Sequence, residues 1–123
     1  EEAPVVSRIY LKITGSKETI CIEFNTFRFP EIIVLEGEKP RIAIDINHVP
    51  AWDGEPVIPL TGNLIQNIRT YLNPKTDVLR IVIDLNPLED YYADPSLYTR
   101  ENVFCLEISH QASHSARDTA GVE

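Results

Sequence analysis

The second half of this chain reads as an imperfect copy of its first, and that repeat constrains the fold more than any other feature. Val6-Ser7-Arg8-Ile9-Tyr10-Leu11 aligns with Ile65-Gln66-Asn67-Ile68-Arg69-Thr70, and Ile22-Glu23-Phe24-Asn25 with Ile83-Asp84-Leu85-Asn86. Ile44-Asp45-Ile46 then falls opposite Leu106-Glu107-Ile108. The offset is 59 residues between Ile9 and Ile68, 61 between Asn25 and Asn86, and 62 between Ile46 and Ile108, a drift that short loop insertions explain. Two similar units that cannot each close a core bury their apolar faces against one another.

The units are built of strands. Along a β-strand successive side chains point to opposite faces, so alternation of apolar and polar residues marks a half-buried strand. Ile42, Ile44 and Ile46 alternate with Arg41, Ala43 and Asp45. Ile9, Leu11 and Ile13 alternate with Arg8, Tyr10 and Lys12. The same pattern places Ile20, Ile22 and Phe24, then Ile81, Ile83 and Leu85, then Phe104, Leu106 and Ile108 on inward faces. Prolines and glycines fall mostly between these runs, where they punctuate turns. One stretch conflicts: Leu64, Ile65, Ile68 and Leu72 are spaced like the buried stripe of a helix, with Thr61 or Asn63 as a cap. Its place opposite Val6 to Leu11 assigns it to a strand instead. The expected fold is all-β, a two-sheet antiparallel sandwich with an internal pseudo-twofold repeat. Its halves cover about residues 5–47 and 64–109, and residues 110–123 form a linker or disordered tail without apolar periodicity, leading to further chain.

At 123 residues the chain is long enough for one domain and too short for two. Nineteen acids against eleven bases leave a formal charge of −8, which disfavours nucleic acid as a partner. No apolar run is long enough to cross a bilayer, so no membrane insertion is expected. The chain has no methionine, as in a processed product or a piece of a longer protein. Cys21 and Cys105 match no metal or redox spacing and read as unpaired thiols, with a single disulfide left open if the protein is exported.

These stretches resemble, in order, the AMIN domain, a β-module found ahead of the catalytic domain of periplasmic N-acetylmuramoyl-L-alanine amidases and near the start of type IV pilus secretins. The matching segments are Val6 to Ile9, Val34-Leu35 leading through Lys39-Pro40 into Arg41 to Ile46, Leu64 to Arg69, Leu79 to Leu85 and Asn102 to Ile108. Together they span Val5 to Ser109. The proline-rich connection from Pro50 to Pro59 and the tyrosine- and acid-rich stretch Asp90 to Arg100 depart from the pattern. The resemblance implies a two-sheet domain of the cell envelope, periplasmic, that binds peptidoglycan and localises the protein carrying it. It implies no activity of its own.

No catalytic set stands out. His48 precedes a proline-rich loop, and His110 and His114 sit in the tail; all three read as solvated rather than as metal ligands. Glu23, Asp45, Asp84 and Glu107 fall at equivalent outward positions, where they are expected to pair with bases on neighbouring strands. Arg41 with Asp45 and Arg80 with Asp84 also share a face at a spacing of four residues and can bridge along the strand. No metal and no cofactor is expected. The more suggestive surface is the outward side of the first strand in each half, with Arg8, Tyr10 and Lys12 in one and Asn67, Arg69 and Tyr71 in the other. Flat tyrosines flanked by guanidinium groups suit both the C–H faces of a glycan and the carboxylates of a stem peptide. The lone tryptophan, Trp52, is either a ligand platform or a cap folded over the open end of the sandwich, and Tyr91, Tyr92 and Tyr98 read as caps in the same way. The alternative to wall binding is a protein-docking module, whose strand edges or tyrosine-rich loop contact another envelope protein within an assembly such as a secretin or divisome.

Overall fold

The alternating runs form strands, and the repeat decides how they pair. A computed structural model describes residues 5–56 and 63–110. In chain order the strands are β1 (Val6–Thr14), β2 (Lys17–Phe24), β3 (Glu31–Leu35), β4 (Arg41–Ile46), β5 (Ile65–Asn73), β6 (Val78–Leu85), β7 (Tyr91–Tyr98) and β8 (Val103–His110). They make two four-stranded antiparallel sheets, β1-β2-β8-β7 (sheet A) and β5-β6-β4-β3 (sheet B). Replacing each strand of one half by its counterpart in the other converts the first order into the second. Each sheet therefore takes its first hairpin from one half and its second hairpin from the other.

The repeat holds down to single backbone bonds. Both first strands carry a register shift at their start, between Val6 and Arg8 in β1 and between Ile65 and Asn67 in β5. Asn25 donates its N–H to the Val5 carbonyl as Asn86 does to Leu64, each at 2.8 Å. Phe24 donates to Asn102 as Leu85 does to Pro40, at 2.8 and 3.0 Å. The offset step from 59 to 61 lies in the hairpins. Gly15 and Ser16 alone separate Thr14 from Lys17, whereas Pro74 to Asp77 separate Asn73 from Val78. Gly15 (φ 62°) and Asp77 (φ 59°) supply the left-handed residue each turn needs.

The bulge also explains the helical spacing of the second half. An extra residue at Gln66 lets Ile65 and Ile68, three apart, both face inward, as Val6 and Ile9 do in β1. The core lies between the sheets, with Ile9, Ile20, Ile22, Phe104, Leu106 and Ile108 of sheet A against Ile42, Ile44, Ile46, Ile81 and Ile83 of sheet B. Ile13, expected inside, is 40% exposed because it lies near the free end of β1. β8 runs through His110, past the expected boundary, so His110 is a strand residue. Thr61, His114 and the rest of the tail from residue 111 lie outside the described residues.

Two connections tie strands far apart in sequence, one of them the disulfide left open above and the other absent from the sequence pattern. Cys21 and Cys105 are not free thiols but form a disulfide. The β2–β8 register sets them directly opposite one another with Cα atoms 4.1 Å apart, a close cross-strand pair that the sequence separation of 84 conceals. The counterpart pair in sheet B is Val82 opposite Ala43. Glu18, inward on β2 and 3% exposed, is the single buried charged side chain among the described residues. Its carboxylate accepts N–H donors from Asn63 (2.8 Å), Leu64 (2.9 Å) and Ile65 (2.8 Å) at the entry to β5. Three converging backbone dipoles compensate the lost hydration of a carboxylate without a cation.

Replacing that acceptor by an amide, Glu18→Gln, turns an N–H₂ group toward backbone donors and is expected to cost about 2–3 kcal/mol. Glu23→Gln, on an exposed ion pair, is expected to cost less than about 1 kcal/mol. Urea unfolding compares the two, and equal losses would show that the buried carboxylate does not secure the β2–β5 junction.

Candidate functional site

Alternation in β1 turns Arg8, Tyr10 and Lys12 to the outer face of sheet A, and alternation in β5 turns Asn67, Arg69 and Tyr71 to the outer face of sheet B. The two sets therefore lie on opposite sides of the sandwich, and no single ligand of ordinary size touches both. Trp52 joins neither set. Half-buried, it packs against the core, and its Nε1 donates to the Thr70 hydroxyl at 3.2 Å. It thus covers the side of the sandwich where β1 and β5 face each other. Part of it still lines a concavity shared with Val6, Arg8 and Leu72. Gly54 passes so close to this ring that an added Cβ would sit 2.9 Å from it.

On sheet A the pairing register lays side chains out as rows across four strands. Arg8, Glu23, Val103 and Tyr98 form one row; Tyr10, Cys21, Cys105 and Ser96 the next; Lys12, Thr19, Glu107 and Asp94 the third. The Arg8 guanidinium lies 4.3 Å from the centroid of the Tyr10 ring and donates to Glu23 at 2.9 Å. Among the described residues no carboxylate pairs Lys12. Over the disulfide opens a hollow of about 330 Å³, lined by Tyr10, Lys12, Tyr98, Glu101, Cys105 and Glu107. Tyr98, expected to cap the core, is instead 48% exposed on this face. Reading β7 as the repeat counterpart of β3 is the signal that finds it.

Sheet B offers less free chemistry. Arg69 spends Nε and one terminal nitrogen on Asp84, at 2.9 and 3.0 Å, and Arg80 does the same with Asp45, both at 2.8 Å. In each of Arg8, Arg69 and Arg80 the hydrogen bond to the carboxylate is the largest cause that holds the guanidinium pKa above its ordinary value. Tyr71 is 61% exposed beside a smaller depression with Asn73 and Val78. The four recurrent acids all pair with bases on neighbouring strands: Glu23 with Arg8, Asp45 with Arg80, Asp84 with Arg69 and Glu107 with Lys17. The along-strand pairs do not form, and Arg41 instead donates to the Lys39 carbonyl at 3.3 Å. Residues four apart in a strand are about 13 Å apart, whereas cross-strand neighbours are about 5 Å apart.

The two histidines among the described residues do not converge. His48 is exposed in the loop after β4, and His110 at the end of β8 approaches Glu89 at 3.3 Å. Tyr91 packs against the core, as expected of a cap, and burial first, then the charge of Glu36, raises its hydroxyl pKa above 10.0. A scan against protein-family models finds no match to this chain, and a search of curated proteins finds none either.

Cys21→Val with Cys105→Ala copies the pair that sheet B already uses, so the fold is expected to survive with a loss of about 2–4 kcal/mol. A collapse of the β-sheet circular dichroism spectrum would contradict this. For Tyr91 the folded state favours the neutral hydroxyl. Its contribution is full below the unfolded tyrosine pKa and is lost as pH rises through the raised folded value. Tyr91→Phe is therefore expected to remove part of the alkaline loss of stability above about pH 10, read from unfolding midpoints between neutral and alkaline pH.

Proposed function

We propose that this domain is a non-catalytic peptidoglycan-binding module that localises a larger periplasmic protein, and that sheet A carries the contact. The observation behind this reading is the outer face of sheet A: the Arg8 cation over Tyr10, and the hollow that Tyr10 shares with the exposed Tyr98 and with Lys12, which no carboxylate among the described residues pairs. Aromatic rings set on a rigid sheet accept the C–H faces of sugar rings, and nearby cations accept stem-peptide carboxylates. The disulfide across the floor keeps β2 and β8 in register beneath these groups, so their spacing is set before a ligand arrives. The two-sheet architecture also agrees with what the AMIN resemblance implies. Sheet B, with Arg69 engaged by Asp84, is the weaker candidate of the two faces.

Co-sedimentation with purified sacculi at low salt tests the reading, with pelleting expected. A domain that stays in the supernatant rules wall binding out. Among variants, Tyr10→Ala with Lys12→Ala is expected to weaken pelleting about tenfold, whereas Tyr71→Ala leaves it unchanged. The reverse order would move the site to sheet B.

A further inference from the structure

The four sheet edges are not equally guarded. β1 exposes Arg8 and Lys12 and carries a bulge at its start, and β5 exposes Arg69, has the matching bulge and is covered by Trp52 at Thr70. β7 carries Pro95, which lacks a backbone N–H, although its pairing with β8 runs unbroken. Lysine, proline and bulges are the usual devices that stop a free edge from accepting another strand. β3, Glu31-Ile32-Ile33-Val34-Leu35, has none of them. It pairs with β4 on one side only, and Val34 and Leu35 are 47% and 36% exposed.

Beside this edge lies a groove. β3 and β7, the end strands of opposite sheets, face each other across a space of about 520 Å³ floored by Val34, Pro40, Tyr91 and Ala93. Its rim is acidic, with Glu36, Glu89 and Asp90. Glu31 closes the other end of the strand, and Glu38 follows Glu36 in the adjoining turn. A second copy of this chain suits the edge poorly, because antiparallel β3–β3 pairing brings the Glu31 end of one strand against the Glu36 end of the other.

From this we infer that β3 is a docking strand for a different protein. An extended segment alternating aliphatic residues with lysine or arginine adds beside β3, its aliphatic side chains entering the β3–β7 groove and its cations, which start on the opposite face, reaching round the free edge on their long stems toward the acidic rim. Main-chain hydrogen bonds along the free edge supply general affinity, and the apolar floor with the carboxylates supplies selectivity. The surface is separate from the outer face of sheet A, so it stands whether or not that face binds the wall.

The test uses two capped octapeptides, one alternating lysine and valine and one alternating glutamate and valine, titrated into ¹⁵N-labelled protein at low salt. Saturable shifts of the Ile32 to Glu36 and Tyr91 to Ala93 amides are expected with the lysine peptide alone. Glu36→Lys with Asp90→Lys is expected to weaken binding about tenfold, while Asp53→Lys with Glu55→Lys, the same charge change elsewhere, has little effect. Equal weakening by both pairs would reduce the interaction to net charge and overturn the proposal, as would shifts centred on another edge. Concentration-dependent shifts of the same amides without peptide would assign the edge to a second copy and overturn it too.

Discussion

The ladders β2–β8 and β4–β6 hold the centre of each sheet, and each joins a strand of one half of the chain to a strand of the other. Neither half contains a complete sheet, so neither buries its apolar face alone. The other ties across the molecule follow the same division. Glu18 on β2 receives the backbone at the entry to β5, and Cys21 on β2 is bonded to Cys105 on β8. Such long-range pairing pays its loop-closure entropy before any contact returns it, which favours slow folding. The fold's asymmetric features accordingly fall where the copies have diverged: Glu18 where the second half has Leu79, and a disulfide in sheet A where sheet B has Val82 opposite Ala43.

That division also sets what was legible in the sequence. The repeat and the period-two runs predict six of the strands and the sandwich, because both report a backbone preference expressed locally. Spacing alone misassigns Leu64 to Leu72, since a bulge at Gln66 imitates one helical step, and the repeat corrects it. β3 and β7 escape the alternation test. The first is a continuous apolar run at an edge, and the second carries Pro95 where a strand normally excludes proline. Glu18 is invisible, and the disulfide is left undecided, for a different reason. Both are set by pairing between strands far apart in sequence: nothing beside Lys17-Glu18 announces a partner, and nothing beside Cys21 announces the register that brings Cys105 opposite it.

The candidate site was legible as residues but not as an arrangement. Alternation places Arg8, Tyr10, Lys12, Asn67, Arg69 and Tyr71 outward, yet an outward direction means opposite sides of the molecule once the two first strands enter different sheets. The symmetry that suggests paired faces is the same symmetry that separates them. What distinguishes one face is then local chemistry: a cation resting on a ring and a lysine that no described carboxylate pairs, against arginines consumed by bidentate pairs.

The disulfide has a mechanical reading as well. The described strands start at Val6 and finish at His110, on β1 and β8 of the same sheet, and β8 runs parallel to β1 with β2 between them. A pull applied at these two points travels through β1, the tight turn at Gly15 and the first residues of β2. At Cys21 it crosses the sulfur bridge to Cys105. The 84 positions of sequence separation between the cysteines then lie outside the covalent path of the load. Strands β3 to β7 sit on a bypassed loop, so a tether stretched at both ends lengthens only by its two short outer arms while the rest of the sandwich carries no tension through the backbone.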